Sequence, residues 1–204
     1  MTDDRLRALE RRFRETGSVE DEAAWLRGRV RAGELEQELL LLAAWCGSKG
    51  ARWVAGLQGS HSVGPDLVTG VVRLGAVART DFALALARTQ IDLEWEEPQA
   101  REHLLRVVAA AREWRRCPCD SHLGQVQLHM LLSPASRERL VGHRLALALT
   151  GHQREAALLA LADLCASLRG RPVEAVLAEA ANLACASILE GRDPWDGDWG
   201  SMGN

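Results

Sequence analysis

The amino-acid sequence predicts an all-α protein built from stacked antiparallel helical hairpins, and three observations lead to this prediction. The 204 residues include 32 Leu, 31 Ala and 24 Arg, which are strong helix formers, but only two Phe and no Tyr. Apolar residues recur at helical spacing along most of the chain. Gly or Pro marks the short links between these segments, and short links favour antiparallel neighbours. The stack is either a compact bundle or a short HEAT-like solenoid.

The first half of the chain contains six predicted helices. Ser18, with Asp21 three residues later, gives the second of them a capping-box-like start. Pro65 suits the first position of the fifth helix, where Gly70 and Gly75 would permit close approach of a neighbouring helix. The approximate helical ranges are 3–15, 19–30, 35–46, 53–57, 65–78 and 82–90.

The second half contains five more predicted helices and a tail. Pro118 ends the first of these helices, because proline disfavours helix in the residue before it, and Ser121 is the expected cap of the next. The approximate helical ranges are 98–116, 122–132, 134–148, 157–168 and 173–188. We expect residues 1–191 to form a single helical domain and residues 192–204 to form a loose, acidic, Trp-bearing tail.

Charge and apolar patterning indicate a cytoplasmic protein that does not enter a membrane. The net charge is −3, and the longest apolar run, 39–46, is far shorter than the ~20 residues of a membrane span. The N-terminal residues do not form a signal-peptide pattern.

The region between residues 98 and 154 contains nine Arg and four acidic residues. This local excess of positive charge makes weak nucleic-acid binding an alternative function.

Most cysteines and tryptophans are expected in the apolar interior. The cysteines on apolar helix faces are Cys46, Cys165 and Cys185. The tryptophans expected in the core or between helices are Trp25, Trp45, Trp53 and Trp114.

The densest group of chemistry-bearing residues is the segment Cys117-Pro-Cys119 with His122 and His129. Cys119 and His122 are three residues apart, so they can face each other across one helical turn, and His129 lies two turns beyond His122 on the same face. Thiolates and imidazoles are good zinc ligands, so the group is a candidate metal or thiol site. The alternative is a rigid corner between two helices with packed thiols.

Two other segments combine tryptophan with acidic residues. Exposed Trp beside carboxylates is typical of a protein-binding surface. The alternative is that these residues fold back onto the helical body. The residues of this candidate partner-binding surface are Glu94, Trp95, Glu96, Glu97, Trp195 and Trp199.

Two stretches resemble known proteins. The stretch from Arg5 to Gly47 and the stretch Arg101–His122, which ends in Trp-Arg-Arg-Cys-Pro-Cys-Asp-Ser-His, resemble uncharacterised all-α proteins of myxobacteria and other GC-rich bacteria. The second stretch is also distantly similar to immunity proteins of bacterial toxin systems. The resemblance covers about a third of the chain, and it implies an all-α fold without bringing any catalytic residues.

The sequence contains no nucleophile elbow, phosphate-binding loop or dinucleotide fingerprint. We therefore expect a non-enzymatic, protein-binding helical module: an adaptor, or an immunity-type protein that binds and occludes a partner. The second hypothesis is a metal- or thiol-dependent protein centred on the Cys-Pro-Cys corner.

Overall fold

The computed structural model describes residues 3–57, 65–89, 98–132, 137–151 and 153–191. Every helix or strand assigned within these ranges is an α-helix, which confirms the predicted fold class. The helices of this part of the chain are α1 (Asp3–Thr16), α2 (Val19–Ala32), α3 (Gln37–Trp45), α4 (Lys49–Ala55), α5 (Pro65–Val72), α6 (Ala76–Arg88), α7 (Pro98–Arg116), α8 (Asp120–Leu131), α9 (Arg137–Thr150), α10 (Arg154–Arg169) and α11 (Val173–Glu190). The tail 192–204 lies outside the described residues, so the predicted domain boundary stays a prediction.

Helix α6 lies at the centre of the fold. All ten residues from Ala78 to Ala87 are buried, and α6 packs against α3, α5, α7, α9, α10 and α11. A helix with no solvent-facing stripe needs neighbours on every side. The helices therefore close into a compact bundle around α6 and do not form an open solenoid.

Two polar residues of α6, Thr80 and Asp81, are hydrogen-bonded inside this core. The Asp81 carboxylate forms a two-pronged ion pair with Arg115 of α7, in which Nη2 lies 2.9 Å from Oδ2 and Nε donates to Oδ1. Thr80 donates its hydroxyl to the Ala76 carbonyl at 2.7 Å. The ion pair fixes the C-terminal end of α7 against the bundle, and that end is where the candidate site begins.

Helix α8 lies on the outside of the bundle, where it packs against α7 and α9. Its one fully buried residue is Val126. Leu128, Leu131 and Leu132, by contrast, are exposed. Residues 117–121 are also exposed, so the start of α8 and the corner that joins it to α7 lie at the surface.

Three local predictions are corrected or confirmed by the structure. The prediction of a single helix over 65–78 is wrong, because α5 ends at Val72 and α6 begins at Ala76. Gly75 is the N-cap of α6. The Glu38 carboxylate occupies the space in which a Cβ of residue 75 would lie. Trp53 is also not a core residue, since it is 58% exposed. The Ser18 cap is confirmed by the bond from the Asp21 amide to the Ser18 hydroxyl, at 3.1 Å.

The other core predictions are largely confirmed. Trp25 and Trp114 are buried, and Trp45 is partly buried against the core. Cys46 and Cys165 are buried, while Cys185 is half-buried.

Within the described ranges, no individual helix has both the length and the apolar character to cross a membrane. The stretches 154–168 and 173–190 satisfy that test only as a pair, and they meet at an angle of 108°. Both contribute buried residues to the core, among them Leu158, Leu161 and Ala180.

Candidate metal centre at the corner between two helices

The corner between α7 and α8 is built by three consecutive residues. The Cys117 amide still donates to the Glu113 carbonyl at 3.0 Å, as in a continuing helix, and Pro118 then ends α7. The Cys119 amide turns back to the Cys117 carbonyl at 2.7 Å. Cys119 has an extended backbone and is the N-cap of α8, so the prediction that Ser121 caps this helix is wrong.

Two thiols and one imidazole converge at this corner. The ligand atoms of Cys117, Cys119 and His122 all lie within 4.8 Å of one another. Cys119 Sγ lies 3.3 Å from His122 Nδ1, which confirms that these two residues face each other across the first turn of α8. His122 Nδ1 also lies 3.0 Å from the Cys117 carbonyl oxygen.

His129 is not part of this group. It lies two turns along α8 and lines a surface cleft between α7 and α8 that His122 also lines. The prediction that both histidines share one face is therefore confirmed, but His129 does not complete a four-ligand site. Within the part of the chain that the structure describes, the corner brings together three potential donor atoms.

Hydrogen bonding separates the acidities of the two thiols. The pKa of Cys119 is lowered, first because the His122 backbone N–H donates to its sulfur and then because the Cys117 thiol does the same. The pKa of Cys117 is raised because its proton is held in that bond. The pKa of His122 is raised because the Cys117 carbonyl accepts its Nδ1 proton. The two thiols of the corner therefore differ in acidity, with Cys119 the more acidic.

The donor geometry fits a small thiophilic ion. In a zinc site the metal–sulfur distance is about 2.3 Å and the metal–nitrogen distance about 2.0 Å, so tetrahedral ligand atoms lie about 3.5 Å apart. The Cys119–His122 distance of 3.3 Å already matches this spacing. Cys117 Sγ lies within 4.8 Å of both of these atoms, and both cysteines are exposed. Ligation through Nδ1 would displace its proton from the Cys117 carbonyl.

The corner thiols are exposed, so the prediction that they are packed is wrong. The bundle core lies elsewhere and is built from aliphatic side chains around α6. An ion at the corner would therefore not be needed to fold the chain, in contrast to a structural zinc site.

One feature beside the corner was not predicted from the sequence. Arg106, Arg112 and Arg116 line the cleft between α7 and α8, together with the short side chains of Ala109 and Ala110. The sequence shows an excess of arginine in this region but not how the arginines are distributed over the surface. That distribution depends on the helix packing, which draws Arg115 inward to Asp81.

The predicted partner-binding residues Glu94, Trp95, Glu96 and Glu97, together with Trp195 and Trp199, lie outside the described residues. The structure therefore does not test that surface. No protein-family model, curated protein or solved structure matches this chain.

Proposed function

We propose that the chain is a metal-binding protein that holds one zinc-class ion at the α7–α8 corner through Cys117, Cys119 and His122. The observation that supports the proposal is the convergence of their ligand atoms within 4.8 Å at an exposed helix junction. The donor set and the spacing of the two nearest donors favour the same class of ion.

The donor set favours zinc, or another thiophilic ion, over magnesium or calcium. Thiolate and imidazole ligands are typical of zinc and copper(I), whereas magnesium and calcium prefer oxygen ligands. Two sulfurs and one nitrogen leave the fourth position of a tetrahedral ion to water or to an external group. Because the corner is exposed, the ion can exchange with solvent, which suits uptake, delivery or sensing of metal.

A zinc competition titration of the reduced chain tests this proposal. We expect one zinc per chain, and a loss of affinity of more than about 100-fold in Cys119→Ser, because a thiolate ligand is removed. Cys185→Ser is the matched control, since it removes a half-buried thiol on α11 and leaves the corner intact. The titration is done in a phosphine reductant, because a disulfide between Cys117 and Cys119 would remove both thiolate ligands and would look like an absence of binding.

Two outcomes would contradict the proposal. One is the absence of stoichiometric zinc binding by the reduced wild-type chain. The other is an equal loss of affinity in Cys119→Ser and Cys185→Ser, which would place the binding away from the corner.

A protein-binding module is the second candidate function, and the exposed leucines at the C-terminal end of α8 favour it. Leu131 is 77% exposed and Leu132 is 60% exposed, and apolar side chains of this kind are used in protein interfaces. The test is copurification of a stoichiometric partner from the native host, compared with Trp95→Ala and with a chain lacking 192–204. Retention of the partner by both altered chains would contradict the predicted contact segments.

A further inference from the structure

Cys117 and Cys119 are the two exposed thiols of this protein, and they lie side by side. Of its five cysteines, Cys46 and Cys165 are buried and Cys185 is half-buried, whereas these two are exposed. Their sulfur atoms lie within 4.8 Å of each other and share a hydrogen bond. A dissolved oxidant therefore reaches these two thiols more readily than it reaches the other three.

The backbone of the corner holds the two sulfurs together. The Cys119 amide donates to the Cys117 carbonyl at 2.7 Å, which closes a three-residue turn around Pro118. A disulfide joins sulfur atoms about 2.05 Å apart, so the two atoms need to approach each other by less than about 3 Å. Residues 117–119 are all exposed, so the bond would form outside the core of the bundle.

We propose that the corner is a redox switch in which a low-molecular-weight disulfide oxidises Cys117 and Cys119 to a disulfide and so releases the bound ion. One corner thiolate attacks the small disulfide, forms a mixed disulfide and displaces one small thiolate. The second corner thiolate attacks the protein sulfur of this mixed disulfide, displaces the other small thiolate and closes the Cys117–Cys119 bond. Two electrons thus pass from the corner sulfurs to the small disulfide.

The ion leaves because the oxidised corner keeps too few ligands. Zinc is held by thiolates, and a disulfide removes both of them, which leaves His122 as the remaining ligand of the three. The inference therefore rests on the proposed function and adds its regulation. Exposed disulfides have the more oxidising reduction potentials, so thiol reductants restore the dithiol and the ion binds again.

Treatment of the zinc-loaded full chain with glutathione disulfide tests the switch. Released zinc is measured with a chromogenic chelator, against the untreated chain. The disulfide is located by mass spectrometry of non-reduced tryptic peptides, since residues 117–137 form one peptide whose only cysteines are Cys117 and Cys119. We expect loss of the one zinc per chain, loss of two hydrogen atoms from this peptide, and recovery of zinc binding after dithiothreitol. Cys185→Ser, the matched control, should give the same results.

The metal-free Cys117→Ser chain separates closure of the disulfide from general thiol oxidation. Its Cys119 has no neighbouring thiol, so the reaction should stop at the mixed disulfide with glutathione, which adds mass to the 117–137 peptide. The inference is overturned if the treated wild-type chain retains its zinc, or if its peptide stops at the same mixed disulfide.

Failure of the switch and failure of the proposed function are distinguishable. Absence of zinc binding by the reduced chain overturns the proposed function. Zinc binding without a Cys117–Cys119 disulfide, in both the zinc-loaded and the metal-free chain after treatment, overturns the switch alone.

Discussion

At the scale of single residues, burial determines which ion pairs of this protein contribute to its stability. Asp81 is 1% exposed and pairs with Arg115, which is 22% exposed, whereas Arg106 and Glu102 are both more than half exposed. Removing one partner of a buried pair leaves an uncompensated charge, while exposed pairs are screened by solvent. The two pairs are therefore expected to respond differently to substitution.

Asp81→Asn should lower the free energy of unfolding by about 3 kcal/mol. This value is at the lower end of the range for a broken buried ion pair, because the Arg115 side chain keeps some contact with solvent. Glu102→Gln, the control, should lower it by less than about 1 kcal/mol. Urea denaturation of the wild type and both variants measures the difference. A similar small effect in both variants would show that the Asp81 pair is not important for stability.

The two corner thiols should react at different pH. The lowered pKa of Cys119 means that its thiolate is present at lower pH than an ordinary thiolate, and the raised pKa of Cys117 means the opposite. Since the thiolate is the nucleophile, the alkylation rate of Cys119 should rise at lower pH than that of Cys117. Competitive labelling of the metal-free chain with iodoacetamide, read by mass spectrometry, measures both profiles. Coincident profiles would contradict the described hydrogen bonding.

At the scale of elements, most helices are predictable from the sequence. The prediction fails where the end of one helix is determined by a side chain of another helix. The Ser18 cap is a local signal, and it was predictable because its partner, Asp21, is three residues away. The break between α5 and α6 was not predictable in the same way, because the Glu38 carboxylate of α3 occupies the space beside Gly75. The close approach expected at Gly70 does occur, and its neighbour is the Trp45 ring.

Two glycines in helices should therefore respond to alanine in opposite directions. A Cβ on Gly70 would lie 2.5 Å from the Trp45 ring, so Gly70→Ala should lower the free energy of unfolding by about 1–3 kcal/mol. A Cβ on Gly124 of α8 would meet no atom within 4 Å, so Gly124→Ala should raise it by about 0.5–1 kcal/mol. Thermal unfolding of both variants shows whether each substitution raises or lowers the free energy of unfolding. Stabilisation by Gly70→Ala would contradict the described contact between α5 and α3.

At the scale of the whole molecule, the sequence left open whether the helices close into a bundle or stack as a solenoid. Hydrophobic periodicity shows which face of a helix is apolar but not which helix will cover it. The run from Phe82 to Ala87, apolar on every side, is the local signal that α6 occupies the centre. The convergence of Cys119 and His122 was predictable from their spacing, whereas the arginine-lined cleft depends on the packing of α8 against α7.

The position of the corner outside the core predicts that folding does not require metal. The chain treated with a chelator should keep its helical circular dichroism and a cooperative thermal transition, because the core around α6 is aliphatic. Loss of the helical signal on chelation, as in zinc fingers, would show that the metal site is structural.

X-ray absorption at the zinc edge of the zinc-loaded chain locates the metal, since it identifies the atoms bound to it. We expect two sulfur scatterers at about 2.3 Å and one imidazole nitrogen at about 2.0 Å, with a fourth light atom from water or buffer. Cys185→Ser should give the same spectrum, and Cys119→Ser should lose one sulfur. A first shell of nitrogen and oxygen alone would contradict metal binding at the corner of Cys117, Cys119 and His122.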